Sequence, residues 1–169
     1  MLIKRFIYLY ITAGLFILTG CGFYSHTGAS VPPNAKTFSV EYINNVASIV
    51  MPSLSQVLTE KLKLRFINET TLKLTQQDGD VRFSGKILNY ATSPVAVQGN
   101  QQNAVNRLTV TIEITYQNTK DDTKNFTQQF SNFVDYPASE NFSAVEIDLV
   151  NKVTDILVQD VFNKAFINW

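Results

Sequence analysis

The chain of 169 residues is poor in the residues on which most site chemistry rests: it has one cysteine, one histidine and one tryptophan, and charged side chains make up 17% of it. A single cysteine excludes a disulfide framework and any cysteine-rich zinc site, since each needs at least a pair of thiols. The single histidine, His26, stands among Ser, Thr and Gly with no metal-ligating neighbour, so it is expected to be solvated. Lys plus Arg and Asp plus Glu balance at 14 each, so the basic excess that neutralises phosphates in a nucleic-acid binder is missing. No apolar run reaches the roughly 20 residues needed to span a bilayer. There is no serine elbow, no phosphate-binding glycine loop and no cysteine nucleophile with a base beside it. The adjacent carboxylates Asp121 and Asp122 fall in a charged turn, where solvent leaves no reason for pKa tuning. No enzyme activity is expected.

What is present begins at the amino terminus. Lys4 and Arg5 precede an apolar run from Phe6 to Leu18, and Leu18-Thr19-Gly20-Cys21 closes it with small residues ahead of the only cysteine. That is the order of a secretory signal, with the run too short and too interrupted by Thr12 and Gly14 for an anchor. Cleavage between Gly20 and Cys21, with a diacylglycerol on the thiol and an acyl chain on the freed amine, would make a lipoprotein. No other cofactor is expected. Residues 1–20 are therefore read as a signal peptide that is removed, 21–34 as a lipidated tether and 35–169 as one domain. Losing Lys4 and Arg5 with the signal takes the balanced chain to a formal charge of −2. Gly22, rather than an acid, follows Cys21, which fits sorting to the outer membrane with the domain on the periplasmic side. Three glycosylation sequons, at Asn68, Asn125 and Asn141, are coincidental in a bacterial lipoprotein.

The tether carries Gly22, Gly28, Pro32 and Pro33 and no periodicity. Beyond it, Phe38, Val40 and Tyr42 alternate with polar residues over Thr37 to Ile43, predicting a strand with those three on one face. Ser53 and Gln56 have capping-box spacing ahead of a helix whose stripe is Leu54, Val57, Leu58, Leu62 and Phe66, with Lys61, Lys63 and Arg65 on a solvated face. A short strand at Thr70 to Thr75, with Leu72 and Leu74 facing one way, is expected to turn back through Gln77-Asp78-Gly79-Asp80 as a hairpin, Gly79 taking positive φ. Val81, Phe83, Gly85 and Ile87 then alternate, and Gly85 marks a bulge or a place where a facing helix comes close.

Asn89 to Asn106 is long for a hairpin connection and holds an amide-rich stretch around Gln98, Gly99 and Asn100. It reads either as a functional loop or as the two strands extended into a β-arm. The cleanest alternation follows, Leu108 to Tyr116, and then a strand with Phe126 and Phe130 in phase and a bulge or strand end expected near Asn132. Ser143 and Glu146 form a second capping box, with Phe142 and Ile147 at the staple positions, opening a helix whose stripe runs through Leu149, Val153, Leu157 and Val161, widened by Val150, Ile156, Phe162 and Ala165. Phe166, Ile167 and Trp169 finish the chain. The predicted fold class is α+β, a two-layer sandwich with a mainly antiparallel sheet of four to five strands and both amphipathic helices on one face. The opposite face, rich in Thr, Ser, Gln and Lys, is left for water or a partner.

Several local patterns together resemble one family: Cys21-Gly22-Phe23-Tyr24-Ser25, Pro32-Pro33 with Ala35-Lys36-Thr37, Pro94 to Gly99 with Asn106-Arg107-Leu108-Thr109, and Phe162-Asn163-Lys164-Ala165. The chain resembles the lipopolysaccharide-assembly lipoproteins (LptE-like), in the form seen in Bacteroidetes-type bacteria. The resemblance implies an outer-membrane lipoprotein that plugs a large β-barrel translocon (LptD-like), helps it assemble and helps lipopolysaccharide pass outward. No family motif fixes the lipopolysaccharide-binding residues here. Arg82, Lys86 and Arg107 are the candidates on chemical grounds, because guanidinium and ammonium groups suit phosphate. Two other readings fit the same residues: a periplasm-facing scaffold for another envelope complex, and a carrier holding an apolar ligand between helices and sheet.

Overall fold

The computed structural model describes residues 30–95 and 104–167. The sheet is built on three long antiparallel strands, β4 (Val81–Val95), β5 (Val105–Asn118) and β6 (Phe126–Pro137), with the short β1 (Thr37–Val40), β2 (Asn44–Asn45) and β3 (Lys73–Leu74) beside them. The order is β3-β1-β4-β5-β6, with β2 also pairing β4. β5 is central among the long strands because its alternation is strict. Leu108, Val110, Ile112, Ile114 and Tyr116 are all fully buried on one face, and Thr109, Thr111, Glu113 and Thr115 lie on the other.

Two helices cover the apolar face: α1 (Leu54–Glu69) and α2 (Phe142–Phe166). Phe66 of α1 sits 5.6 Å from Phe38, 4.4 Å from Phe83 and 5.4 Å from Phe166, ring centroid to centroid, so both helices meet the sheet in one aromatic cluster. The helices run parallel. Lys61 reaches the Asn151 carbonyl at 2.8 Å and Asp155 at 2.6 Å, and one turn later Arg65 donates to Gln159. Lys61 and Arg65 thus line a seam between the helices, while Lys63 pairs with Glu60 of its own helix at 2.9 Å. None of the described helices is long and apolar enough to cross a membrane.

The two-layer α+β arrangement is as the sequence implies, but its edge is wound differently. β1 pairs in parallel with both β3 and β4, so β3 and β4 are not neighbours and Gln77 to Asp80 is not a hairpin turn. Asp78, not Gly79, has the positive φ, at 55°. Gly79 is needed for a different reason: a Cβ there would lie 2.5 Å from the Phe38 carbonyl carbon. Gly85 likewise allows an approach, of the strand β5 and not of a helix, since its Cβ would lie 2.2 Å from the Glu113 carbonyl oxygen. The sheet's register shift falls at Ile87/Asn89, and β6 pairs without a break through Asn132.

Several side-chain assignments also change. The chain leaves β1 after Val40, so Ile43 is buried and Tyr42 is 56% exposed. Leu72, just ahead of β3, is buried, but Leu74 within it is not. Neither capping box forms: Ser53 makes no side-chain cap bond, while Asn141 caps α2 by accepting from the Ser143 amide, and Ile147 is 71% exposed, so no staple closes. Ile156 also leaves the buried stripe, at 40% exposure.

The edge is fastened by one carboxylate. Asp80 accepts from the Lys36 amide at 2.9 Å and from the Thr37 amide and hydroxyl, and Lys120 pairs with it at 3.0 Å. The Lys36 amide foremost, then Lys120, holds its pKa far below the usual carboxylate range. A depressed folded-state pKa stabilises the native chain above the unfolded value, near 3.9, and that contribution fades as pH falls through the folded value. Asp80→Asn is expected to lower the urea midpoint at pH 7 and at pH 5 alike, with the gap to the wild type narrowing only below about pH 4. Urea titrations at three pH values check this.

Candidate interaction face

With both helices on one side, the opposite face of β4, β5 and β6 is covered by no element among the described residues. Its rows are read from the register. Ser84, Thr115 and Thr127 lie side by side, then Lys86, Glu113 and Gln129, then Asn89, Thr111 and Ser131, then Ala91, Thr109 and Phe133, then Ser93, Arg107 and Asp135. Hydroxyls bridge the strands, Thr111 to Ser131 at 2.8 Å and Thr115 to Thr127 at 2.9 Å. The face is polar and carries its charge in pairs.

The three candidate cations all project from this face, and each holds an acid. Arg82 pairs with Asp78 at 3.1 Å and also donates to the Gly79 carbonyl. Lys86 pairs with Glu113 across the strands at 3.0 Å. Arg107 grips Asp135 through two hydrogen bonds, at 2.7 and 2.9 Å, and lies 3.5 Å over the Phe133 ring. The Arg107 guanidinium holds the Asp135 carboxyl below its usual pKa, and Asp135 in turn raises that of Arg107. The acids Glu113 and Asp135 were not among the sequence candidates. Their signal was cross-strand, and it becomes visible only once the register is known. Gly20, Cys21, Gln98, Gly99, Asn100, His26 and Trp169 lie outside the described residues.

β4 and β5 stay paired as far as Val95 and Val105, so the long connection is a β-arm up to that point, with β6 alongside to Pro137. The arm is tied to the helix layer by Tyr90, whose hydroxyl donates to the Glu146 carboxylate at 2.6 Å. Burial first, and then the bond to Glu146, pushes the Tyr90 pKa well above its ordinary value, so it remains a donor at any physiological pH. Glu146 is therefore spent on the arm, not on the helix cap. Tyr90→Phe is expected to cost about 1 kcal/mol, a typical net hydrogen-bond value, in equilibrium unfolding.

At the other end of the sheet, a cavity of about 480 Å³ lies between Ser30 to Asn34 and the Asn118, Lys120, Asp121 and Lys124 turn. It is where residues 30–34 meet the sheet. Burial, with the Asp121 charge, pushes the nearby Tyr116 phenol up to about 12. No group of three metal-ligating side chains occurs among the described residues.

The sequence model of the family described as lipopolysaccharide-assembly (LptE) matches residues 35–165, which is the whole helix-covered sheet up to the last turn of α2. The chain belongs to that family. The LptE family is one of non-enzymatic lipoproteins with a role in lipopolysaccharide assembly. No curated protein sequence matches the chain. Among solved structures, it is similar to a minor lipoprotein from Acinetobacter baumannii, at 15% identity and a TM-score of 0.51, over 77% of this chain and 91% of that one. It is also similar to a putative neuraminyllactose-binding hemagglutinin homolog from Helicobacter pylori, at 10% identity and 0.52, over 84% and 89%. An uncharacterized lipoprotein B from Nitrosomonas europaea scores 0.52 at 10% identity, over 85% and 88%. At such identities the likeness is one of fold.

Proposed function

We propose that this LptE-family chain is an outer-membrane lipoprotein that lodges in a large β-barrel translocon and assists lipopolysaccharide transport and assembly. Residues 1–20 are the signal peptide, cut between Gly20 and Cys21. Cys21 carries the diacylglycerol and the amide-linked acyl chain, and 21–34 tether the domain on the periplasmic side. The family match over residues 35–165 carries the reading. The uncovered sheet face supports it. A surface of hydroxyls, amides and internally paired charges suits the polar lumen of a barrel, whereas an unpaired charge would have to be desolvated there. The carrier reading gains nothing comparable, because Phe38, Phe66, Phe83 and Phe166 fill the space between sheet and helices.

If lipopolysaccharide touches this face, Arg82 is the most available cation. Its partner Asp78 is 80% exposed and held by one contact, whereas a phosphate at Arg107 would have to displace a two-point carboxylate. Lys86, and the amides Gln98 and Asn100 flanking Gly99, are the other proposed contacts. Depletion of the protein is expected to reduce surface lipopolysaccharide and to leave the barrel poorly assembled, and mild detergent extraction of tagged protein should bring a large barrel with it. Normal surface lipopolysaccharide on depletion would overturn the reading.

A further inference from the structure

The cavity of about 480 Å³ at the end of the sheet opposite the arm has no part in lodging in a barrel. The chain is fastened beside it from Ser30 onward. The Ser30 amide donates to the Phe166 carbonyl at 2.7 Å, Val31 packs against the core, and the Lys36 and Thr37 amides donate to Asp80. Only the eight residues 22–29 separate Ser30 from Cys21. Fully extended, that length of chain reaches about 30 Å. The cavity is therefore held within that distance of Cys21, whereas α2, of 25 residues, carries the arm end of the domain about 37 Å further along its axis.

The lining is of two kinds. Val31, Pro32 and Pro33 supply apolar surface, and Lys120, Asp121 and Lys124 supply charge of both signs. Lys120 is already paired with Asp80 at 3.0 Å. The Thr123 hydroxyl and amide both donate to Oδ1 of Asp121, and with the nearby Lys124 charge they hold this carboxyl below its usual pKa, so it is ionised at neutral pH. These charges decide between ligands. A simple anion would gain Lys124 but face Asp121, and a simple cation would meet the reverse. A zwitterion gives each of the two an opposite charge and leaves neither unpaired.

We propose that this cavity receives the phosphoethanolamine headgroup of a phospholipid in the leaflet that holds the anchor, an inference that rests on the proposed acylation of Cys21. Lys124 takes the phosphate, Asp121 takes the ammonium, and Val31, Pro32 and Pro33 pack against the glycerol. The end of the domain opposite the arm thereby rests on the leaflet. Weak binding is sufficient for this. The anchor keeps the cavity among headgroups at high local concentration, so a Kd of about 1 mM fills it.

The test uses the full lipoprotein in a nonionic detergent and the soluble headgroup glycerophosphoethanolamine, read by amide chemical shifts. Saturating shifts are expected over residues 119–125 with a Kd of about 1 mM, and glycerol 3-phosphate or ethanolamine alone is expected to bind about tenfold more weakly. Asp121→Asn keeps an oxygen that accepts from Thr123, so it is expected to weaken the zwitterion about tenfold with an unchanged melting temperature. Lys124→Gln is expected to do the same, and Lys152→Gln, in the amino-terminal half of α2, to change nothing. In the native membrane, a photoreactive side chain in place of Asn34 is expected to yield an adduct with phosphatidylethanolamine. Glycerol 3-phosphate binding as tightly as the zwitterion, no shift at about 10 mM ligand, or an adduct with lipopolysaccharide in place of phospholipid would overturn the proposal. The titration involves neither a barrel nor an acyl chain, so it fails or succeeds independently of any lipopolysaccharide phenotype, and labelled palmitate on Cys21 checks the anchor by itself.

Discussion

Replacing Phe66 by alanine is expected to lower the unfolding free energy by about 3–5 kcal/mol, the largest single-residue loss in the domain. The ring is fully buried and stands where four others converge, Phe38 from β1, Phe83 from β4, and Phe162 and Phe166 from the last turns of α2. Truncation removes an aromatic side chain's transfer free energy and leaves a void that the strands cannot close, since β1 and β4 are fixed in register by their ladder. A loss of that size is a large fraction of the 5–15 kcal/mol that holds an ordinary domain together. Guanidinium titration checks it. A loss under about 1 kcal/mol would mean that the helices are not docked through this cluster.

That cluster was legible in the sequence because each of its rings sits on a local period. Phe66 closes a stripe through Leu54, Leu58 and Leu62, and Phe83 falls in the alternation that begins at Val81. The wide stripe of α2 and the strict alternation of β5 were legible for the same reason. What failed depended on contacts far apart in sequence. Local pattern makes Thr70 to Ile87 look like a hairpin, and only the packing of α1 back over the sheet brings β1 between β3 and β4. The parallel pairing of β1 is a property of that crossover, which no pattern inside β1 encodes. Caps failed more narrowly. Ser143 and Asn141 are both good cap residues, and the choice between them turned on Glu146, which the Tyr90 hydroxyl draws to the sheet.

The interaction face was half legible. Arg82, Lys86 and Arg107 could be placed on one face from the alternation, and they do lie there. Their acids could not, because a cross-strand pair such as Lys86 and Glu113 is set by register, which a one-residue slip would dissolve. Phe133, next to the Asn132 at which a bulge or strand end was expected, is out of phase with Phe126 and Phe130. It needs no bulge, since the outer face accommodates it under the Arg107 guanidinium. The consequence for function is a change of emphasis. Cations already holding carboxylates are poor phosphate traps and good lumen-facing surface, so the proposed recognition of a barrel shifts toward the neutral part of the molecule.

The neutral part is the arm, and its tip can be removed without touching the core. Val95 and Val105 face each other as the last pair of β4 and β5, and the Ala104 carbonyl accepts from the Ala138 amide. Replacing residues 96–103 by Asn-Gly would leave a connection of three residues including Ala104, within the two to five that close a hairpin. Melting of the domain is expected to be unchanged, because Tyr90, Leu108 and Tyr136 hold the arm from below. Copurification of the barrel is expected to fall about a hundredfold, or roughly 2.8 kcal/mol, with surface lipopolysaccharide falling alongside it. The deleted stretch includes Gln98, Gly99 and Asn100 with further glutamines and asparagine, and no charge. Primary amides donate and accept at once, so they can replace lumen water group for group without the cost of burying an ion. Equal barrel yield from the shortened protein would move the recognition surface off the arm and onto the hydroxyl rows of β5 and β6. In that case Thr111→Val with Ser131→Val would become the disruptive pair.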